Sequence, residues 1–251
     1  MTLQDFFTAN PRAALGFSGG ADSAYLLYAG LRSGAEIQPY YVNSTFNPAF
    51  ELEDAERLCR ELGVGLTVLT ADQLTLPEVA ANGPERCYYC KRALFSAIAS
   101  RAAADGYTLL LDGCNASDDA SDRPGMRAAR ELSVRSPLRE CGITKAELRR
   151  LSREAGLFTW DKPAYACLAT RVPTGTPLTR AALETTENAE NALRALGLRD
   201  FRVRWREGGK TALLQLSEAD LALYLAEREA IDECLKEYYV NIILDKELRR
   251  G

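Results

Sequence analysis

Hydrophobic and polar positions along the chain fall into two regimes. From residue 13 to 114, short apolar runs alternate with stretches of helical period. Residues 13–17 ("AALGF") read as a buried strand, 21–34 as a helix closed by Gly34, and 37–44 ("IQPYYVNS") as a second strand. An amphipathic helix over 48–63 closed by Gly63, a strand over 65–72, a helix over 87–106 and a strand over 107–114 follow. Residues 115–136 read as a polar loop with a short helix, and 144–157 as a helix opened by a capping box of Thr144 and Glu147. This alternation predicts an α/β fold, a parallel sheet with helices on both faces. A loop rich in Pro, Thr and Gly (158–179) ends the regime. Beyond it come a helix (180–197), an antiparallel pair (201–207 and 211–217) around Gly208-Gly209, a helix (218–237) and a strand (239–245). The pattern places a domain boundary near residue 175. It separates a sheet domain over 1–174 from a smaller α+β C-terminal domain over 175–251, expected to serve substrate binding or oligomerisation.

Composition narrows the function. The 251 residues are 47% hydrophobic and 26% charged, with a net charge of −4 and a pI near 5.2. That balance argues against a nucleic-acid partner, although a local basic pocket can still take a small anion. No apolar run approaches the ~20 residues of a membrane span, and the first residues lack the pattern of a signal peptide. The expectation is a cytoplasmic protein with no membrane partner. Its seven cysteines are then reduced, metal-bound or catalytic rather than paired. There are no histidines, which excludes Ser-His and Cys-His nucleophile pairs and every His-ligated metal site.

The chemistry-bearing residues gather at predicted strand ends: Ser18-Gly19-Gly20-Ala21-Asp22-Ser23, then Asn43-Ser44, then Asp112-Gly113. In parallel sheets ligands collect at the carboxyl ends of strands. In "ALGFSGGADSAYLL" the glycines allow a tight turn and bring backbone N–H groups to a ligand. The helix N-terminus favours an anion, and Ser18 and Ser23 add hydroxyl donors. Asp22 would repel a bare phosphate. It suits a divalent cation bridging it to phosphate oxygens, or a role in anchoring the loop. This is not the Walker loop, which needs a Gly-Lys-Ser/Thr ending.

The stretch resembles the S-G-G-x-D-S motif of the N-type ATP pyrophosphatases, the PP-loop superfamily. The resemblance implies an adenine nucleotide alpha hydrolase-like fold and cleavage of ATP, with Mg2+, to AMP and pyrophosphate by adenylation of an acceptor oxygen. It places Ser18, Gly19, Gly20, Asp22, Ser23, Asn43, Asp112 and Gly113 at the nucleotide, with Asp22 catalytic.

A second cluster of chemistry is cysteine-based. "ERCYYCKRALF" puts Cys87 and Cys90 one helical turn apart beside Arg86, Lys91 and Arg92. The pair alone fits a redox couple, half a zinc site, part of an iron–sulfur site or two small residues. Cys167, in "KPAYACLATRVPTG", is a third thiol in a loop near Arg171. Three thiolates without histidine suit a [4Fe–4S] cluster with one open iron, or zinc with a fourth ligand.

Taken together, these segments are similar to the LarE-type ATP-dependent sulfur transferases. The similarity also takes in "LLDGCNASDDASDRPGMRAARE", "SPLRECGITKAELRRLSREAGL" and "AENALRALGLRDFRVR", and covers roughly the first four-fifths of the chain. The resemblance implies adenylation of a carboxylate of pyridinium-3,5-biscarboxylic acid mononucleotide and its conversion to a thiocarboxylate during nickel-pincer cofactor biosynthesis. One kind of member gives up the sulfur of a single cysteine. The other holds a [4Fe–4S] cluster on three, here Cys87, Cys90 and Cys167, and draws on sulfide or another sulfur donor. Cys167 is the expected catalytic cysteine. The resemblance also matches Arg202 and Arg204 to an R-V-R segment and Glu190 to an acidic position near the mononucleotide substrate, and implies a homo-oligomer; Arg123 and Arg127, by their charge, are candidates for the substrate or the pyrophosphate. Arg202 and Arg204, alternate residues of one strand, share a face and could fork a phosphate. One departure is Gln215, which stands where an acidic residue is expected. A tRNA-thiolating enzyme, transfer of the Cys167 sulfur itself, an amide ligase with structural zinc and a nucleotide-binding sensor are the competing readings.

Overall fold

The computed structural model describes residues 1–118 and 124–249. Its elements in chain order are α1 (Leu3–Ala9), β1 (Arg12–Gly16), α2 (Ala21–Arg32), β2 (Glu36–Ser44), α3 (Ala49–Leu62), β3 (Thr67–Ala71), α4 (Pro77–Ala80), α5 (Arg86–Ala104) and β4 (Leu110–Leu111). They continue as α6 (Pro124–Glu131), α7 (Pro137–Glu140), α8 (Lys145–Glu154), α9 (Arg180–Ala195), β5 (Phe201–Arg206), β6 (Thr211–Leu216), α10 (Glu218–Ala226), α11 (Arg228–Lys236) and β7 (Asn241–Leu244). The chain divides into two compact units, Met1–Asp72 with Glu85–Lys162, and Gln73–Pro84 with Pro163–Gly251.

The first unit is the expected α/β sandwich. Its four strands run parallel in the order β3-β2-β1-β4. Both faces are buried, which is why the strands read as apolar runs rather than clean alternation. Ala13, Leu15, Ile37 and Tyr41 pack with Leu27 and Leu58 on one face. Ala14, Tyr40 and Val42 pack with Phe95 and Ile98 of α5 on the other. The predicted fourth strand over 107–114 shrinks to two residues at the sheet edge. Tyr107 is drawn back to α5, donating its N–H to the Ala102 carbonyl at 2.8 Å, while Asp112 N–H turns to the Arg135 carbonyl at 2.9 Å. At α8 the capping box is half formed. Thr144 Oγ1 accepts from the Glu147 N–H at 3.3 Å, but the Glu147 carboxylate goes to Arg150 at 2.7 Å.

The second unit holds a sheet of β5-β6-β7. β5 and β6 are antiparallel, and β7 adds parallel to β6. Leu193, Val203, Leu214, Ile231 and Leu235 are fully buried in its core. The helix expected over 218–237 is interrupted at Glu227 (φ −116, ψ 28), which closes α10 and opens α11. Residues 73–84, read from sequence as part of the sheet domain, belong here through Asn82. Its fully buried amide donates to the Pro173 and Thr176 carbonyls, both at 2.9 Å, and its carbonyl accepts from Gly175 N–H at 2.8 Å. Among the described residues no helix is long and apolar enough to cross a membrane.

Candidate functional site

Strand β1 is flanked by β2 on one side and β4 on the other, so the loop after it opens where the strand order reverses. That reversal is where open α/β sheets bind ligands. Gly19 has φ +69, and a Cβ there would lie 2.9 Å from the Glu51 carbonyl oxygen, so conformation and space both require glycine. Gly20 caps α2 with no side chain on the first N–H groups, leaving the helix end open to an anion. The two serines brace the loop: their hydroxyls lie 3.1 Å apart, and Ser23 Oγ donates to the Gly20 carbonyl at 3.2 Å. Gly20 N–H in turn donates to Ser18 Oγ at 3.3 Å.

The loop after β4 comes up against this turn. A Cβ on Gly113 would sit 2.9 Å from Ser23 N. Because the obstruction is backbone, Gly113→Ala is expected to lower the free energy of unfolding by about 1–3 kcal/mol, measured as a lower urea midpoint. Asp112 is buried and occupied: its carboxylate accepts from Ser136 Oγ at 2.7 Å and from the Cys114 N–H at 3.1 Å. It shapes the loop through these bonds. Asn43 stands exposed at the carboxyl end of β2. A cleft of about 150 Å³ beside Ser18 is a mainly apolar slot lined by Phe17, Tyr40, Val42 and Phe95, with Asn47 and Lys91 also on its wall.

Asp22 does not stand alone. Asn115 Nδ2 donates to it at 3.2 Å and Lys145 Nζ at 2.6 Å. Lys162, whose ammonium pairs with Asp54 at 2.6 Å, reaches the Gly19 carbonyl at 3.3 Å. Arg149 donates to the Lys162 carbonyl at 3.0 Å and steadies that segment. The two lysines were missed by sequence reasoning. Lys145 carries no signal beyond following a Thr N-cap, and Lys162 none beyond preceding a proline. Only the packing of α8 and the segment after it brings them to the loop.

The cysteines sort by environment. Burial pushes the Cys59 thiol up to about 12. Cys114 also rises to about 12, through burial first and then the Asp112 carboxylate, to which its thiol donates at 3.2 Å. Both are protonated near neutral pH and poor sulfur nucleophiles. Cys87 lies exposed in the first turn of α5 with Arg86 Nη2 3.5 Å from its sulfur, and Cys90 follows one turn later, half-buried. Among the described residues no group of three Cys, Asp or Glu side chains is arranged to hold a metal ion.

Cys167 belongs to the second unit, at the N-cap of a short turn, Leu168–Arg171. Arg202 and Arg204 sit on the same face of β5, both half-buried. Burial, then repulsion from Arg249, Arg171 and Arg204, lowers the Arg202 guanidinium to about 10. Arg204 is lowered too, first by burial. Such crowding of like charge is relieved by an anion. Arg204 also donates to Gln215 Oε1 at 3.1 Å, so this neutral side chain satisfies the guanidinium without cancelling its charge. Glu190, by contrast, is fully buried, its oxygens accepting from Arg171, Tyr165 and Val203 N–H. Arg123 lies outside the described residues. Its neighbour Arg127 is paired with Glu85 and stacked 4.3 Å over the Tyr88 ring.

No protein-family model matches the chain. Curated proteins do. An uncharacterized protein of Synechocystis sp. is 38% identical over 205 residues, covering 80% of this chain and 76% of the relative. The pyridinium-3,5-bisthiocarboxylic acid mononucleotide synthase of Lactiplantibacillus plantarum is 32% identical over 227 residues, covering 90% of this chain and 82% of that protein. An uncharacterized protein of Methanocaldococcus jannaschii is 26% identical over 248 residues, 96% of this chain and 92% of the relative.

Proposed function

The chain belongs to the LarE-type family, that of pyridinium-3,5-bisthiocarboxylic acid mononucleotide synthase, and we propose from that membership that it is an ATP-dependent sulfur transferase of nickel-pincer cofactor biosynthesis. The observation that supports it most directly is the Ser18–Ser23 loop, a braced anion cradle at the strand-order reversal with an apolar slot alongside.

ATP lies with its base in the slot and its phosphates on the N-terminus of α2. A carboxylate oxygen of the pyridinium mononucleotide attacks the α-phosphorus, the bond to the β-phosphate oxygen breaks, and pyrophosphate departs. Donors fixed along its path stabilise the growing negative charge, and Lys145 and Lys162 stand within reach of the loop. One carboxylate plus phosphate oxygens is a usual setting for Mg2+, so Asp22 would hold it there, and the ion would neutralise phosphate charge. Sulfide from the sulfur donor then attacks the acyl carbon, the bond to the adenylate oxygen breaks, AMP departs, and loss of the sulfide proton to solvent leaves a thiocarboxylate. Arg202 and Arg204 hold the mononucleotide phosphate.

For the sulfur we propose that Cys87, Cys90 and Cys167 bind a [4Fe–4S] cluster. The support is the cysteine pattern in a family context and the preference of such clusters for thiolates. Anaerobically purified protein is expected to carry about four iron and four acid-labile sulfide per chain, lost in Cys87→Ala. Metal-free protein whose Cys167 becomes dehydroalanine during turnover would replace the cluster with transfer of the cysteine's own sulfur.

A further inference from the structure

The loop bearing Cys167 is anchored to a buried ion pair that the chemistry above leaves unused. The Arg171 and Glu190 side chains are both at 0% exposure and meet at 2.7 Å. Burying two charges carries a desolvation cost that well-packed apolar residues would avoid, so stability alone is a weak reason for the pair. Its bonding suggests another. Arg171 donates through Nε and Nη2 to Glu190, at 2.7 and 3.0 Å. Its remaining group, Nη1, donates to the Ala166 carbonyl at 2.9 Å and to Thr170 Oγ1 at 3.0 Å. These two contacts bracket Cys167. Thr170 closes the bracket, donating its hydroxyl to the Cys167 carbonyl at 2.8 Å and its N–H to the same oxygen at 3.0 Å.

Tyr165 supplies a second tie. Its hydroxyl donates to Glu190 Oε2 at 2.6 Å, and the Arg171 guanidinium lies 4.5 Å over its ring. On its other side, Glu190 Oε1 accepts the N–H of Val203 at 3.0 Å, the residue between Arg202 and Arg204. Arg204 completes the circuit by donating to the Thr170 carbonyl at 3.1 Å. One carboxylate thus joins the thiol loop to the arginine strand.

We propose that Glu190 is a positioning residue: through Arg171 and Tyr165 it holds the Cys167 thiol in register with the anion-binding arginines of β5. This deepens the sulfur-transfer reading and rests on it. A phosphate on Arg202 and Arg204 then sets the acyl carbon at a fixed reach from Cys167. Misplacing reacting atoms by ~1 Å can lower a rate by ~100-fold. Sequence resemblance alone put Glu190 against the substrate. Its burial and four protein donors give it this indirect role.

Tyr165→Phe is the mild test, because it removes one hydroxyl and keeps the ring. Thiolation kcat is expected to fall about tenfold, with the acceptor KM and pyrophosphate release within about twofold. In full-length chain purified in air, iodoacetamide should label Cys167 severalfold faster, read by peptide mass mapping. Glu190→Gln should move both readouts further in the same direction. Unchanged kcat and unchanged Cys167 labelling in folded Tyr165→Phe would overturn the proposal. So would a loss carried entirely by KM, which would put the cluster at the acceptor. Thiolation surviving in Cys167→Ala would sink the sulfur-transfer reading instead, while the labelling rates still decide the positioning.

Discussion

Cys167→Ala is expected to stop thiocarboxylate formation, by about a thousandfold or more, while ATP-dependent pyrophosphate release continues. The separation follows from the fold. The loop, lysines and apolar slot proposed for the nucleotide all belong to the first unit, and Cys167 to the second. The bonds holding its turn involve the Cys167 carbonyl and the neighbouring Ala166 and Thr170, none of which the substitution removes. Alanine also accepts the φ of −52 and ψ of 150 found there. The variant should therefore fold, adenylate its acceptor and stall. Pyrophosphate release coupled to an enzymatic assay, with mass spectrometry of the acceptor, reads both halves. Full thiolation would move the sulfur chemistry away from Cys167.

Asp22→Ala is expected to remove AMP formation by about a thousandfold and to cost little stability. The Asp22–Lys145 pair is about a third exposed on each side, so its loss is worth at most about 1 kcal/mol. Activity and folding should part company: an almost unchanged thermal midpoint beside an inactive nucleotide site. The carboxylate is the only acidic group in the 18–23 loop, and on the proposed mechanism its loss removes the group that would hold a cation at the phosphates. AMP still formed at the parent rate would mean that ATP is activated elsewhere.

Much of this was legible along the chain. Parallel strands buried on both faces make contiguous apolar runs, and a Ser-Gly-Gly turn between a strand and a helix advertises itself because Gly19 needs its positive φ and has no room for a Cβ. Arg202 and Arg204 could be placed on one face from the two-residue period of a strand. Other features leave no such trace. Nothing local distinguishes Lys145 from any lysine opening a helix, or Glu190 from any acid on an amphipathic one. The short β4 was overestimated because its pairing with β1 spans only Leu110 and Leu111, the Tyr107 N–H going back to the Ala102 carbonyl of α5.

The sequence by itself determined the α/β architecture, the tight Ser-Gly-Gly turn after the first strand and the family resemblance, because each rests on short-range order: periodicity, turn chemistry and contiguous motifs. Only the tertiary structure decided which charges are paired inside the fold and which are left crowded by like charge. It buried Glu190 against Arg171, left Arg202 crowded by like charge, and brought Lys145 to Asp22 across 123 positions of sequence. Burial and charge pairing depend on groups distant in the chain. The free energy of a charged side chain is set by what surrounds it in space, and one residue's neighbours in sequence do not specify that.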